Sequence, residues 1–360
     1  MNAREATEHE IEVWDTLIAS NPNGGTPLQC KAFGEAKSKH GWTPRYVIYE
    51  SESMLAVLYL TKRLRGLGEL WYAPNGPGVR TLAQLKNVLK ANQRAQLLDN
   101  VFLVRMEPRI IIATRRRNEP MVVEQHIDIA KLGVSSASKT IQTNLSTVLV
   151  DISMDDEKLL DSFASKTRYS VRLGMRKGVT IERPEASEKV MQAMYALMQE
   201  TSARTGYYLR AYEYFKDFWE AYCYNGNGQF FFARFEGRII AGGFFMWSGR
   251  MATYKDAGLT REKTDIGAPS LLLYEAMKFL RSKGASIIDL HGAAPLSAID
   301  DTSHPLTGIT RFKLSFHDTV TAYMPSIDQL LKPAKAKSWQ RMGEKVAMRY
   351  SHRIKKQIFY

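Results

Sequence analysis

Four groups of side chains in this sequence have types suited to chemistry: two cysteines, a histidine–aspartate loop, a lysine between aromatic residues, and a line of cations near residue 345. Cys30 and Cys223 sit in no nucleophile signature, and no histidine stands at ligand spacing from either. Both read as thiols of a reducing compartment without a metal role. His291-Gly292 and His304 flank a loop that also holds Asp300-Asp301. Those types could ligate a metal, but the spacing matches no standard site, and neither metal nor other cofactor is expected. No Gly-x-Ser-x-Gly elbow is present, nor Gly-x-Gly-x-x-Gly after a strand, nor Gly-x-x-x-x-Gly-Lys-Ser/Thr. Acyl-serine, dinucleotide and P-loop chemistry are therefore disfavoured. Lys313, in Arg311-Phe312-Lys313, reads on pattern alone as a surface lysine on a strand, with apolar neighbours Phe312, Leu314 and Phe316.

The cations are more directional. The chain of 360 residues carries a formal charge of +13, which predicts anionic partners. Near its carboxyl end Trp339, Met342, Val346, Tyr350, Ile354 and Ile358 recur every three or four residues, which predicts an amphipathic helix. Arg341, Lys345, Arg349, Arg353 and Lys356 form a basic line on another face, and Glu344 is the lone acid among nine basic residues from 332 to 356. Such a helix suits nucleic-acid phosphates or an anionic bilayer, or is simply docked with a solvated basic edge.

The elements that must position these residues come in two series. In the first, 46–49 and 54–60 form a hairpin, 69–72 is a third strand, 81–92 a helix, and 100–107 and 109–114 strands split by Pro108. A Ser/Thr/Gly-rich stretch over 132–146 is the linker candidate. The pattern then restarts: a strand at 147–152, helices at 155–174 and 187–205, a meander at 228–235, 238–247 and 251–255, a helix at 267–283 bracketed by Pro269 and Gly284, and a strand at 287–290. Two mixed α/β lobes are expected, with their boundary near residue 146. No apolar run reaches the ~18 residues that span a bilayer, and the polar, acidic start lacks a signal-peptide pattern, so a cytoplasmic protein is expected.

Five motifs in order resemble the Fem aminoacyltransferases, which build peptidoglycan interpeptide bridges. Gln29-Cys30-Lys31-Ala32-Phe33-Gly34-Glu35-Ala36-Lys37 with Gly41-Trp42 is similar to the family's amino-terminal Gln-Ser-x-x-Trp-x-x-x-Lys, with Cys30 and Phe33 replacing Ser and Trp. Tyr72-Ala73-Pro74-Asn75-Gly76-Pro77 resembles its Tyr-x-Pro-x-Gly-Pro turn. Lys166-Thr167-Arg168 through Arg172, with Lys177-Gly178-Val179, is similar to its Lys-Thr-Arg-x-x-Ile-Arg and Lys-Gly-Val. The segment 201–214 and the Phe312-Lys313 signature within 308–316 complete the series. The family's long coiled-coil insertion has no counterpart between Arg168 and Arg210, as in its compact members.

The resemblance implies two tandem acetyltransferase-like (GNAT-type) domains, an α/β (α+β) fold with a helical carboxyl-terminal tail that returns to the first domain: 1–146 completed by 322–360, and 147–321. It implies attack by a primary amine on the ester of an aminoacyl-tRNA, with UDP-MurNAc-pentapeptide or lipid II as acceptor and no covalent intermediate. Lys313 then supplies a positive charge beside the tetrahedral oxyanion, and Glu107 matches an acidic position near the acceptor amine. Lys37 and Arg210 match diphosphate-binding positions. Tyr214 and Tyr254 match the aromatic lining of the acceptor groove. Tyr72 and Phe312 are carried over as substrate-binding, and Arg168 too, although a structural ion pair suits it better. Arg341, Lys345, Arg349 and Arg353 become the expected tRNA contacts, peripheral contact with the inner leaflet is a further expectation, and a monomer is the default. Two other readings stay open: an acyl-CoA N-acyltransferase of the same fold, for which only Thr264-Asp265-Ile266-Gly267-Ala268 approaches a pyrophosphate loop, and a non-catalytic RNA- or membrane-surface module.

Overall fold

The computed structural model describes residues 1–138, 140–142, 145–260, 266–353 and 358–360. The chain divides into two compact units. One comprises 1–112, 124–145 and 323–360; the other comprises 113–123 and 146–322.

The first unit is built on a seven-stranded sheet. From one edge its strands are Asn2–Glu5, Thr43–Glu50, Met54–Leu64, Gly68–Ala73, Val101–Met106, Ile327–Leu330 and Ser135–Ser136. All neighbours run antiparallel except Gly68–Ala73 and Val101–Met106, which are parallel. A parallel step needs a crossover, and the helix Leu82–Arg94 supplies it. Thr81 and Gln84 cap that helix reciprocally. Its apolar face, Leu85, Val88 and Leu89, belongs to one core with Val47, Val57, Trp71 and Val104 of the sheet. Gln29, fully buried, bonds the backbone of Leu58 (Oε1 from N at 2.9 Å, Nε2 to O at 3.0 Å) and the carbonyl of Pro74 at 2.8 Å. The amino-terminal motif thus ties the central hairpin to the Pro-Gly turn.

The second unit repeats the plan. Gly228–Phe235, Arg238–Ser248 and Met251–Leu259 form an antiparallel meander; the helix Ala268–Ser282 then crosses over to Ile287–Asp289, parallel to Met251–Leu259. Thr180–Glu182 and Leu149–Asp151 close the two edges. The first turn of the meander needs two left-handed residues, and Glu236 (φ 50°) and Gly237 (φ 75°) provide them. Gly267, at the start of the crossover helix, is left-handed (φ 77°), and a Cβ there would lie 2.0 Å from the Ser170 carbonyl oxygen. Its glycine is thus required by the neighbouring helix Ser165–Arg176. Thr264 and Asp265, the start of the 264–268 stretch, lie outside the described residues.

Four expectations differ from the structure. The 155–174 helix is two, Asp156–Ser162 and Ser165–Arg176, because Phe163 is extended and buried and the Ala164 amide donates to Ser315 O at 2.9 Å. A helix at Tyr212–Tyr224 was not anticipated; its aromatic run buries Phe215, Phe218, Trp219 and Tyr222. Lys313 belongs to a helix, Thr307–Leu314, not to a strand, and it is buried. The tail is helical at Pro333–Ser338 and Glu344–Arg353, but a five-residue π turn at Trp339–Gly343 separates them. That wider turn shifts the helix face. Trp339 goes inward at 2% exposure, while Met342, Val346 and Tyr350 stand 70%, 58% and 54% exposed. The predicted apolar stripe is therefore split, with these three residues facing out; Ile354 of that stripe and Lys356 of the basic line lie outside the described residues.

Candidate active site

Lys313 of the second unit is held by a short chain of contacts. Its helix buries only Thr310 and Lys313. Thr310 Oγ1 accepts from the Ala294 amide at 2.8 Å, which pins the helix to the loop after Ile287–Asp289. Lys313 Nζ donates to the carbonyls of His291 and Gly292, the latter at 2.6 Å. His291 is left-handed, with φ 56°, a conformation that costs a non-glycine residue about 1 kcal/mol or more. Asp289 holds it there: Oδ1 accepts from the His291 amide at 2.7 Å and from Thr147 Oγ1 at 2.5 Å. The carboxylate is buried at the end of the parallel strand, so the sheet itself sets the position of the lysine.

Burial pulls the Lys313 ammonium from its ordinary 10.5 down to about 8, with Asp289 opposing the shift. It remains mostly protonated at neutral pH. An ammonium has three donors; two are committed to the carbonyls, which leaves one to meet negative charge developing nearby. On another face of the helix, Thr307, Arg311 and Ser315 line a separate cavity of about 250 Å³ with Arg117, Asp300 and Asp318.

In the first unit, Tyr72 and Glu107 are brought together. Tyr72 Oη donates to Glu107 Oε2 at 2.7 Å. Glu107 Oε1 accepts from the amides of Ile141 at 2.5 Å and Gln142 at 3.2 Å, and Ser326 Oγ lies at 3.4 Å. The carboxylate is 1% exposed. The carboxylate thus holds the 140–142 segment against Tyr72. Lys37, on the helix Lys31–Ser38, is 2% exposed and lies 5.5 Å from the Phe33 ring centroid; it is not the solvated helix charge that its type suggests.

The remaining candidates lie in the second unit. The Arg210 guanidinium stacks over the Tyr214 ring at 4.2 Å, and the Arg210 carbonyl accepts from Tyr195 Oη at 2.9 Å. Tyr254 stacks on Phe245 with centroids 4.7 Å apart and planes 9° from parallel. Phe312 packs edge-on against Phe316 at 5.3 Å. Arg168 donates to the carbonyls of Asp161 and Phe163, at 3.2 and 2.5 Å. It caps the end of the preceding helix, and among the described residues it makes no ion pair. Asp300 accepts from Arg115, and Asp301 from Ser303, so both order their loop. Burial pushes the Cys223 thiol up to about 12, far from a nucleophilic thiolate.

Sequence reasoning missed the ionic cluster in the first unit. Arg105, fully buried, makes a forked pair with Asp328 at 2.8 and 2.9 Å and a second contact with Glu344, while Tyr360 Oη sits 2.9 Å from its guanidinium. Glu344 also accepts from Ser138 and Tyr360. The one signal available was Glu344 itself, the single acid in a basic tail.

Residues 12–236 match the FemAB family. Similar curated proteins are the lipid II:glycine glycyltransferases of Staphylococcus aureus (strain MRSA252), 25% identical over 230 residues, and of Staphylococcus saprophyticus, 25% identical over 234. These alignments cover 62% and 63% of this chain and 53% and 55% of those proteins; the chain spans about half the length of the curated relatives it matches. The crystal structure of FemX superimposes with a TM-score of 0.77 at 19% identity, covering 95% of this chain and 100% of that one. With the family match extending over more than half of the sequence and the FemX fold over nearly all of it, the chain belongs to the FemAB family.

Proposed function

We propose that this protein is a transferase of peptidoglycan synthesis, moving an aminoacyl group from aminoacyl-tRNA onto the stem-peptide side-chain amine of UDP-MurNAc-pentapeptide or lipid II. The observation that carries the reading is the buried Lys313 ammonium in the signature segment, positioned by the His291 and Gly292 carbonyls. The names of the similar glycyltransferases support the same class of reaction. In this reaction the acceptor amine attacks the ester carbonyl, the new C–N bond forms, and the negative charge gathers on the carbonyl oxygen. Collapse breaks the ester C–O bond, the ribose oxygen leaves with a proton, and the amine loses one. The ester is already activated, so orientation and charge stabilisation suffice. Lys313 supplies the stabilising charge and does not act as the base.

Arg210, with Tyr214 against its face, is the proposed contact to the precursor diphosphate, and Tyr254 the proposed stacking surface; Lys37, 2% exposed in the first unit, is left as a buried support. Glu107 is left as a support for Tyr72 and the 140–142 segment. The assay is incubation with tRNA charged with Gly, Ala or Ser, and separately with acyl-CoA, in the presence of UDP-MurNAc-pentapeptide or lipid II. A mass increase of one aminoacyl residue on the acceptor is the expected result. Acylation from acyl-CoA alone, or no modification from any donor, would overturn it.

A further inference from the structure

The tail helix of the first unit is inverted relative to an ordinary docked helix. Its inward face is polar: Glu344 and Ser351 are the buried residues of Glu344–Arg353, and Glu344 is fixed by Arg105. In the preceding turn, Gln340 Nε2 donates to Asp328 Oδ2 at 2.8 Å and to Ser135 Oγ at 3.0 Å. Its outward face carries Val346 and Tyr350, and the preceding π turn carries Met342, all more than half exposed and spaced by four residues. Such residues form one stripe. Arg341, Lys345, Arg349 and Arg353, each one step away around the helix or one turn on, make a parallel basic stripe, and all four are exposed. Among the described residues none of the four makes an ion pair. Lys335 and Lys337, also exposed, extend the basic surface toward the preceding helix.

The apolar stripe decides between anionic partners. Phosphates of a nucleic acid reward the cations but give nothing to three exposed apolar side chains. A lipid surface rewards both, since the apolar residues enter the acyl boundary while the cations meet headgroup phosphates. We infer that the 333–353 tail lies in the plane of an anionic phospholipid bilayer, with Met342, Val346 and Tyr350 inserted and Arg341, Lys345, Arg349 and Arg353 on the headgroups. The π turn at 339–343 makes this possible by sending Trp339 into the first unit, where it packs on Phe102 and Phe359, and the following stripe outward. The inference is independent of the transfer reaction, because the lipid surface is recognised without any precursor.

The test is co-sedimentation of the full chain with vesicles of phosphatidylglycerol and phosphatidylcholine, containing no peptidoglycan precursor. Binding is expected to rise with phosphatidylglycerol content. The exposed triple variant Met342→Ser, Val346→Ser, Tyr350→Ser should lower partitioning at least about tenfold, with an unchanged melting temperature. Lys345→Gln with Arg349→Gln should lower it roughly 30-fold, about fivefold per charge. Absence of binding, or binding that the triple variant leaves intact, overturns the inference. So does a concentration-dependent dimer that the triple variant abolishes, or loss of tRNA binding without loss of vesicle binding in that variant, since either would give the apolar stripe to a second copy or to RNA.

Discussion

Replacing Lys313 by methionine tests both halves of the account of that residue, its burial and its charge. Methionine keeps the length of the stem and fills nearly the same space. In the wild type, the fall from 10.5 to about 8 corresponds to about 3 kcal/mol of unfavourable burial of the charged form. Methionine removes that cost, but it leaves the His291 and Gly292 carbonyls without their donor, at about 1–3 kcal/mol for each unsatisfied group. At pH 7 the two effects oppose each other, so stability at a single pH is a poor discriminator. The pH dependence is a sharp one. Between about pH 8 and 10.5 the unfolded lysine holds a proton that the folded lysine has released, so unfolding takes up a proton and wild-type stability rises with pH. The variant lacks this contribution. The difference in unfolding free energy, wild type minus variant, should be flat below about pH 7 and climb by up to about 1.4 kcal/mol per pH unit above 8, for a total near 3 kcal/mol. Urea unfolding of both proteins from about pH 6 to 10.5 measures it, and titrations common to both cancel. Turnover with charged tRNA and precursor should meanwhile fall about 10²–10³-fold, the scale of one lost oxyanion donor. A difference that stays flat through about pH 10.5 would refute the buried ammonium, and turnover within about threefold of wild type would refute its catalytic charge.

Three further sites give measurable outcomes. Glu344→Ala strands the fully buried Arg105 with one carboxylate fewer and should cost about 3–5 kcal/mol in urea unfolding; a loss below about 1 kcal/mol would mean that water replaces the carboxylate. Burial alone would raise the Glu344 pKa, but hydrogen bonds from Arg105 outweigh it and hold it below the usual range. Its stabilising contribution is accordingly present above about pH 4.5 and should be lost as the pH falls below that, which an acid titration of wild type against Glu344→Gln will show. Glu107→Gln introduces a donor among groups that already donate, so it should reduce stability by about 1–3 kcal/mol yet leave turnover within about tenfold; a loss of about 10²–10⁴ would instead identify Glu107 as the base. Arg210→Lys keeps the charge and loses the fork, and should raise KM for UDP-MurNAc-pentapeptide about tenfold with kcat little changed.

What the sequence revealed and what it hid follow from where the determining forces lie. The meander and its crossover helix were legible because turns and caps are local: Glu236-Gly237, Pro269 and Gly284 act within a few residues. The strand expected at Lys313 was wrong because Phe312, Leu314 and Phe316 alternate over too few residues to distinguish the two periods; the helix is fixed instead by Thr310 bonding the distant Ala294 amide. The break at Phe163-Ala164 has the same kind of cause, a bond to Ser315. The tail was correctly helical but its facing was not readable. Apolar spacing marks a stripe, and the usual inference is that it turns inward. Here a buried guanidinium, Arg105, requires Glu344 on the inner face, and its demand outweighs three apolar side chains. Of the candidate site, the motif residues could be listed but not sorted. Glu107, Lys37 and Lys313 look alike as charged residues in a sequence, and only burial and hydrogen-bond partners separate a clasp from a poised ammonium.

The pairing of Val101–Met106 with Ile327–Leu330 bears on how the protein is made. Arg105 and Asp328 are 223 residues apart. At a ribosomal rate of about 5–20 residues per second, the partner strand follows roughly 10–45 s later. Throughout that interval a strand of fully buried character, carrying a guanidinium without its carboxylates, stands as an open sheet edge on the nascent chain, while the whole of the second unit is synthesised. The step most exposed to misassembly is therefore the late arrival of the closing strand.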